Sequence, residues 1–371
     1  MTDKIDYRAT FMSQFGTLKH ENALFAEMER TVENSPWHRE ANVLVHTEMV
    51  VDEYVNAADL YHSDECRIDP VWDHMTYLGA IAAAFHDVGK PAARTAKFSE
   101  ARGNYFSYPG HELMSARLFE DYATKRFPMF GAQDIYVICW MLEHHMPWEV
   151  KDKTKRENMA KTVKTYDLLD VFTRLLLSDQ YGRTSDDAET KRADVRAWIA
   201  EFRELVETVK LSPIDIDAPV LYMPIACSGS GKSTFRASLG DVNTFSLDDL
   251  RHEFYDATDY ARAFQLSTDD KSFDSRANAR FHAVVKQKKD LYVDNTNCSA
   301  KRRRWYLDIA RKHGYTVTAV LFPISIDEAI RRQTTRTDKT VPMRAVQHQY
   351  MSLQLPSIGE FDTILIRSDN M

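Results

Sequence analysis

Histidines and aspartates recur through the first half of the chain in an order that could hold metal. His46 is followed by His86-Asp87 in FHDVGK, His111 in GHE, the doublet His144-His145, and Asp179 in SDQYGR. Gaps of 40, 25, 33 and 35 residues, counted through His144, place each member on a different helix if the region is helical. Imidazole and carboxylate groups converging inside a helical bundle suit one or two divalent transition metals, such as Mn²⁺, Co²⁺ or Ni²⁺. A carboxylate shared by two such ions would activate water for in-line displacement at phosphorus. Any one of these histidines alone reads as an ordinary hydrogen-bonded residue, and so do His20, His62 and His313; the ordered set carries the expectation. Either His144 or His145 could be the ligand, and His144 is preferred at this point.

A second chemistry begins at residues 226–234, ACSGSGKST. The run meets the pattern G-x-x-x-x-G-K-[ST] except that Ala226 stands at its first position. Gly229, Ser230 and Gly231 let backbone N–H groups turn toward phosphate oxygens. Lys232 adds positive charge at the β- and γ-phosphates, and Ser233, followed by Thr234, can ligate Mg²⁺. The expected cofactors are ATP or another NTP with Mg²⁺, bound at the N-terminus of the following helix.

Three later stretches suit phosphoryl transfer. SLDDLR at 246–251 offers Asp248, or its neighbour Asp249, to take a proton from an attacking hydroxyl, and Arg251 to hold an acceptor phosphate. VDNTN at 293–297 offers Thr296 and Asn297 to orient the acceptor. AIRRQTTRTDKTV at 329–341 spaces Arg332 and Arg336 four apart, on one face of an expected lid helix. The basic run Lys301–Arg304 could grip nucleic acid, although a solvated helix face is the commoner meaning of such a run.

The elements that must position these groups divide near residue 211. Before it, apolar spacing predicts helices at Asp73–Asp87, Gly131–His145 and Thr162–Tyr181, and the scarcity of β-branched runs predicts an all-α domain over 1–210. The stretch LSPIDIDAP at 211–219 reads as a linker. After it, strands at Val220–Ala226, Thr244–Leu247, Leu291–Val293, Val317–Phe322 and Ile364–Ile366 alternate with helices, which predicts an α/β domain with a parallel sheet over 220–371.

Composition sharpens this division. The 371 residues are 44% hydrophobic and 28% charged, with 12 Gly and 12 Pro, so the chain is globular rather than low-complexity. Four cysteines, Cys66, Cys139, Cys227 and Cys298, lie far apart, against a disulfide framework or thiolate zinc site. No apolar h-region follows the first charges and no run approaches a membrane span, so a reducing cytoplasm and no membrane partner are expected. The net charge of −7 hides an acidic half and a mildly basic one. Residues 1–219 hold 26 Lys and Arg against 37 Asp and Glu, while residues 220–371 hold 22 against 18.

The ordered set GSGKST, SLDDLR, VDNTN and the R-x-x-x-R lid resembles the kinase domain of 5′-hydroxyl polynucleotide kinases, over about residues 220–371. That resemblance implies Asp248 as general base. It implies Arg251 and Thr296 on the 3′ phosphate of the terminal nucleotide, and Arg332 and Arg336 on the ATP phosphates. The first-half set, with its HDxGK and D-x-x-G-R contexts, resembles the HD-domain metal phosphohydrolases. Their pattern implies His46, His86, Asp87 and Asp179 on one metal, and Asp87, His111 and His144 on a second. Lys90 and Arg183 are then implied as phosphate contacts.

Together the halves resemble bifunctional HD-phosphohydrolase–polynucleotide kinases, which heal broken RNA or DNA ends. One half would remove a 2′ phosphate or open a 2′,3′-cyclic phosphate; the other would phosphorylate a 5′ hydroxyl. No ligase lysine motif is evident, so a separate polynucleotide ligase is the expected partner. Two other readings stand beside this one. One is an HD nucleotidase fused to a nucleoside or mononucleotide kinase. The other is a nucleotide-gated sensor with a non-catalytic HD half.

Overall fold

The computed structural model describes residues 5–33, 38–56, 72–100, 103–255, 259–336 and 341–367. Cys66 and His62 lie outside the described residues, as do residues 337–340 of the expected lid. The chain forms two compact units, Met1–Lys210 and Leu211–Met371.

The first unit contains helices α1 (Tyr7–Glu21), α2 (Ala23–Arg30), α3 (Val43–Asn56), α4 (His74–Phe85) and α5 (Lys90–Ala93). A short antiparallel hairpin follows, β1 (Thr95–Ser99) and β2 (Gly103–Ser107). Then come α6 (His111–Arg126), α7 (Ala132–Glu143), α8 (Lys153–Tyr166), α9 (Leu169–Tyr181) and α10 (Ala188–Thr208). The unit is helical as its apolar spacing predicts, with the hairpin as an unforeseen addition. Its strands are mostly exposed and polar, so no alternation betrays them.

At the centre runs α4, apolar on all sides and packed against α1, α3, α7 and α9. Asp73 starts it by accepting the Thr76 N–H at 2.7 Å. Phe85 at its end meets Phe25 and Phe119 edge to face. The single helix expected over Thr162–Tyr181 is in fact two. Asp167 adopts φ +54° and its N–H closes α8 on the Val163 carbonyl, so the chain turns before α9 begins. Aspartate is among the few residues that take this conformation cheaply, and the apolar pattern runs through the break without marking it.

The second unit is a five-stranded parallel sheet in the order β4 (Asn243–Phe245), β5 (Leu291–Val293), β3 (Val220–Ile225), β6 (Thr316–Leu321) and β7 (Thr363–Ile366). Helices α11 (Lys232–Ser238), α12 (Leu247–Tyr255), α13 (Tyr260–Asp269), α14 (Phe273–Val285), α15 (Ala300–Lys312), α16 (Ile326–Thr334) and α17 (Met343–Met351) connect the strands. Chain order reverses on either side of β3, so the crevice beyond the carboxyl ends of β3, β4 and β5 is where an open α/β sheet binds ligands. Pro224 is tolerated in central β3 because the ladder to β5 covers only Leu221 and Tyr222.

Gly182 closes the first unit around its site. A Cβ there would fall 2.6 Å from the Val50 nitrogen, so only glycine lets the end of α9 meet α3. Gly182→Ala should cost about 1–3 kcal/mol of first-unit stability through overpacking. Urea denaturation of the variant checks this; an unchanged midpoint would refute the close approach.

Candidate metal centre and phosphate-binding site

Six residues of the first unit converge on one buried point. His46 comes from α3, His86 caps α4, Asp87 sits in the turn before α5, His111 opens α6, and Asp179 lies in the last turns of α9. The sixth is His145, one residue past the C-cap of α7.

The Asp87 carboxylate divides the cluster. Oδ2 lies 3.5 Å from His46 Nε2 and 3.1 Å from His86 Nε2, while Oδ1 lies 3.3 Å from His111 Nε2 and 4.0 Å from His145 Nε2. Asp179 Oδ1 completes the first group, 3.1 Å from His46 Nε2 and 3.7 Å from His86 Nε2. His46, His86 and Asp179 can thus hold one ion, and Asp87, His111 and His145 another.

Each ring is oriented from behind. Nδ1 of His46 faces the Gly182 carbonyl at 3.2 Å, His86 that of Ala83 at 2.8 Å, His111 that of Tyr108 at 2.8 Å, and His145 that of Leu142 at 2.7 Å. A carbonyl only accepts, so Nδ1 carries a proton and every Nε2 is turned inward, where it donates to a carboxylate when protonated and is free to ligate a metal when not. His46 and His86 bring two Nε2 atoms to 3.3 Å, and His111 and His145 to 3.2 Å. Such pairs repel unless a cation or a proton lies between them. The donor set therefore fits a divalent metal at each position.

Burial and charge act against each other throughout. Burial would raise the Asp87 carboxyl, but His86 and Lys90, with hydrogen bonds from His111 and His86, hold it well below the usual range. Burial would likewise raise Asp179, and Arg183 and His46 hold it down. Burial would lower His86, and Asp87 and Asp179 raise it instead. His145, farther from carboxylate, is pushed down to about 3 by burial and by the charges of His111 and His86.

The preference for His144 is corrected. Its ring stacks on Trp140, 4.3 Å between centroids and 17° from parallel, with Nδ1 on the Trp140 carbonyl at 2.8 Å. His144 stays one helical turn above Trp140, whereas the chain leaves helical geometry just before His145 and turns that ring to the cluster.

Lys90 is buried, its ammonium 2.8 Å from both Asp87 Oδ2 and Glu33 Oε1. Arg183 approaches Asp179 at 3.6 Å, and its Nε has no partner. Both line a cavity of about 370 Å³ that opens onto Asp87, His111, His145 and Asp179. Glu33 went unforeseen in the sequence, as did His38 and Glu40. Glu40 accepts from Thr184 N at 2.6 Å and from His38 Nδ1 at 3.2 Å, and His38 stacks edge-on against His46 and lines the cavity. These residues sit in irregular segments before α3, where no periodicity or motif singles them out.

In the second unit the loop after β3 turns through Gly229 at φ +90° and Gly231 at φ +95°. A Cβ on Gly229 would meet the Ala329 carbonyl of α16 at 2.2 Å, so glycine is required twice over. Lys232 Nζ donates to the loop's own carbonyls, Cys227 at 2.6 Å and Ala226 at 3.4 Å. Ser230 is buried on the Cys227 carbonyl, while Ser233 and Thr234 follow in α11 with partly or fully exposed side chains. Arg332 Nη1 lies 3.9 Å from where a Gly231 Cβ would be, which puts that guanidinium at the loop. Arg336 does not share its helical face: α16 ends at Thr334, and the Arg336 N–H bonds the Gln333 carbonyl in the turn beyond.

Asp248 and Arg251 face each other in α12, with Nη1 to Oδ1 at 2.5 Å; Tyr260 also donates to that oxygen at 3.1 Å, and Ser267 Oγ holds Arg251 Nε. Asp249 is exposed. Thr296 is half-buried and its carbonyl accepts the Ala226 N–H. Asn297, expected on substrate, is buried instead. Its amide donates to Pro224, Val293 and Asn295 carbonyls, replacing the ladder where β5 has ended. In the basic run, Arg303 is fully buried against Glu360, so it is a structural ion pair and only Lys301, Arg302 and Arg304 face water.

Residues 223–356 match the family described as an AAA domain. A protein of Autographa californica nuclear polyhedrosis virus, named as a candidate bifunctional polynucleotide kinase/RNA ligase, is 26% identical over 144 residues, covering 37% of this chain and 20% of that one. This chain therefore spans about a fifth of that relative's length. The crystal structure of a gluconokinase from Sinorhizobium meliloti 1021 aligns at 17% identity over 43% of this chain and 86% of its own, with a TM-score of 0.30. The chain joins a P-loop, AAA-type α/β domain to a helical domain with an HD-like set of metal-coordinating residues. Among the described residues no helix is long and apolar enough to cross a membrane.

The two adjacent histidines are separable by experiment. His145→Gln should lower metal stoichiometry, read by elemental analysis, whereas His144→Gln should leave it unchanged. Burial lowers His144 to about 4. The unfolded chain thus takes up a proton near pH 6.5 that the folded one refuses until about 4, and stability falls as pH drops through that window. His144→Gln should flatten this fall in thermal melts of chelated protein. An unchanged slope would show that burial does not lower His144.

Proposed function

We propose that the chain is a bifunctional end-healing enzyme for RNA or DNA. Its helical unit removes 2′ or 2′,3′-cyclic terminal phosphates, and its α/β unit phosphorylates 5′ hydroxyls from ATP or another NTP. One observation carries the reading: a single chain holds two adjoining groups of potential metal ligands at a cavity of about 370 Å³, together with an oriented carboxylate, Asp248, in the helix that follows a P-loop sheet strand. The relative named for polynucleotide kinase and RNA ligase activities supports the kinase half and suggests that a separate ligase would use the healed ends.

In the helical unit, one or two divalent ions held by His46, His86, Asp87, His111, His145 and Asp179 would supply Lewis acidity and an activated water. The protein's own part is orientation. Backbone carbonyls fix four imidazole rings, Lys90 holds the Asp87 carboxylate ionised, and the unpartnered Arg183 Nε offers a donor to the ester phosphate. In the kinase unit, Lys232 would turn from the Cys227 carbonyl to the β- and γ-phosphates, the Gly229, Ser230 and Gly231 N–H groups would surround them, and Ser233 would hold Mg²⁺. Arg332 reaches the same phosphates from the lid. Asp248, oriented by Arg251 and Tyr260, would take the 5′-hydroxyl proton as that oxygen bonds to the γ-phosphorus and the bond to the departing nucleoside diphosphate breaks, while Arg251 with Thr296 would steady the neighbouring phosphate.

The test is an end-group assay on an oligonucleotide bearing a 5′ hydroxyl and a 2′,3′-cyclic phosphate, with ATP and a panel of divalent metals. Asp87→Ala should lose phosphohydrolase activity at least about 10²-fold and keep kinase activity. Lys232→Ala and Asp248→Ala should do the reverse, by about 10²-fold or more. Loss of kinase activity in a folded Asp87→Ala protein would refute independent sites. Turnover of free nucleotides in preference to the oligonucleotide would replace end healing with nucleotide metabolism.

A further inference from the structure

The hairpin β1–β2 contributes little to the core of the first unit, yet it runs directly into the metal cavity. All of β1 except Ser99 is exposed, and Phe98 keeps 70% of its surface in water. A large aromatic left in solvent on a two-stranded edge is a liability unless something uses it.

Register shows what surface it belongs to. Ala96 pairs with Phe106 and Phe98 with Asn104, so Phe98 and Phe106 are diagonal neighbours on one face. The Arg94 guanidinium lies over the Phe106 ring, 3.6 Å from its centroid. Phe106, Ser107 and Tyr108 then line the cavity that holds Asp87 and His111. One face thus leads outward from the metal positions through Phe106 and Arg94 to Phe98.

Charge selects the occupant. The first unit is acidic overall, but the aromatic face carries the Arg94 guanidinium, and the single carboxylate on the described hairpin, Glu100, lies at its turn. A polyanion leaving the cavity, which Glu112 and Glu149 also line, is drawn toward the Arg94 guanidinium on the hairpin. Aromatic rings with adjacent guanidinium groups are what unstacked bases bind.

We propose that the hairpin is a stacking platform for single-stranded nucleic acid. The phosphorylated terminal nucleotide enters the cavity beside Phe106, the preceding base lies on Phe98, and Arg94, on the same face, contacts the backbone. The inference rests on the end-healing reading and deepens it: the helical site would prefer a strand to a free nucleotide.

The experiment compares two substrates on the full chain loaded with Mn²⁺, a single-stranded RNA hexamer ending in a 2′,3′-cyclic phosphate and a 2′,3′-cyclic mononucleotide. Phe98→Ala should raise KM for the hexamer about 10-fold with kcat unchanged, and leave mononucleotide kinetics as they were. Phe98→Tyr, which keeps the ring, should restore the wild-type KM. Arg94→Ala should make the hexamer KM less sensitive to salt. A Phe98→Ala protein equal to wild type on the hexamer overturns the platform. So does one impaired equally on both substrates, which would mark a structural role. A wild-type enzyme that opens the mononucleotide but ignores the hexamer overturns the end-healing reading, and the platform with it.

Discussion

The helical unit is arranged around one buried anion. Asp87 is 2% exposed, and a carboxylate taken out of water is tolerated only when its lone pairs are occupied. Oδ2 faces His46, His86 and Lys90, and Oδ1 faces His111 and His145. Each partner imposes a demand of its own. Lys90, buried too, needs Glu33; His46 needs the Gly182 carbonyl; and Gly182 must be glycine for α9 to come near enough. The charge at residue 87 thus propagates into constraints on packing far from it in sequence.

The α/β unit handles charge in the opposite way. Its loop keeps Lys232 on the loop's own carbonyls, so little charge is stranded before a phosphate arrives. A nucleotide would exchange one set of acceptors for another. The helical site is costly to assemble and rigid, while the loop is cheap and responsive. Phosphate-ester hydrolysis needs fixed cation positions, and a kinase must bind and release a nucleotide each turnover.

Much of this was legible in the residues, and what was not has physical reasons. The motif at 226–234 dictates its own geometry, because glycines at two positions admit one backbone path; the sheet followed from its apolar runs. The metal residues were visible as an order of residue types, since each sits on a separate helix. Choosing between His144 and His145 was different. It depends on where α7 stops, and helix ends are set by tertiary packing rather than by local pattern. Asn297 looked like a polar reader of substrate but fills a gap in the ladder beside Pro224, a need visible only once β5 is known to be short. Arg332 and Arg336 shared a helical face only while the helix was taken to continue past Thr334. Glu33, His38 and Glu40 act across space from segments without regular structure. No spacing rule reaches them.

The bond from His46 to Asp179 spans 133 residues, and that from Thr184 to Glu40 spans 144. Contacts so distant in the chain close late, because a long loop must be ordered before they form. During synthesis the histidines from His46 to His145 emerge well before Asp179, Gly182 and Thr184. The nascent helical domain therefore carries most of its metal ligands without a finished site. It matures only when α9 clears the ribosome, at about the time the polypeptide begins to supply the strands of the second domain.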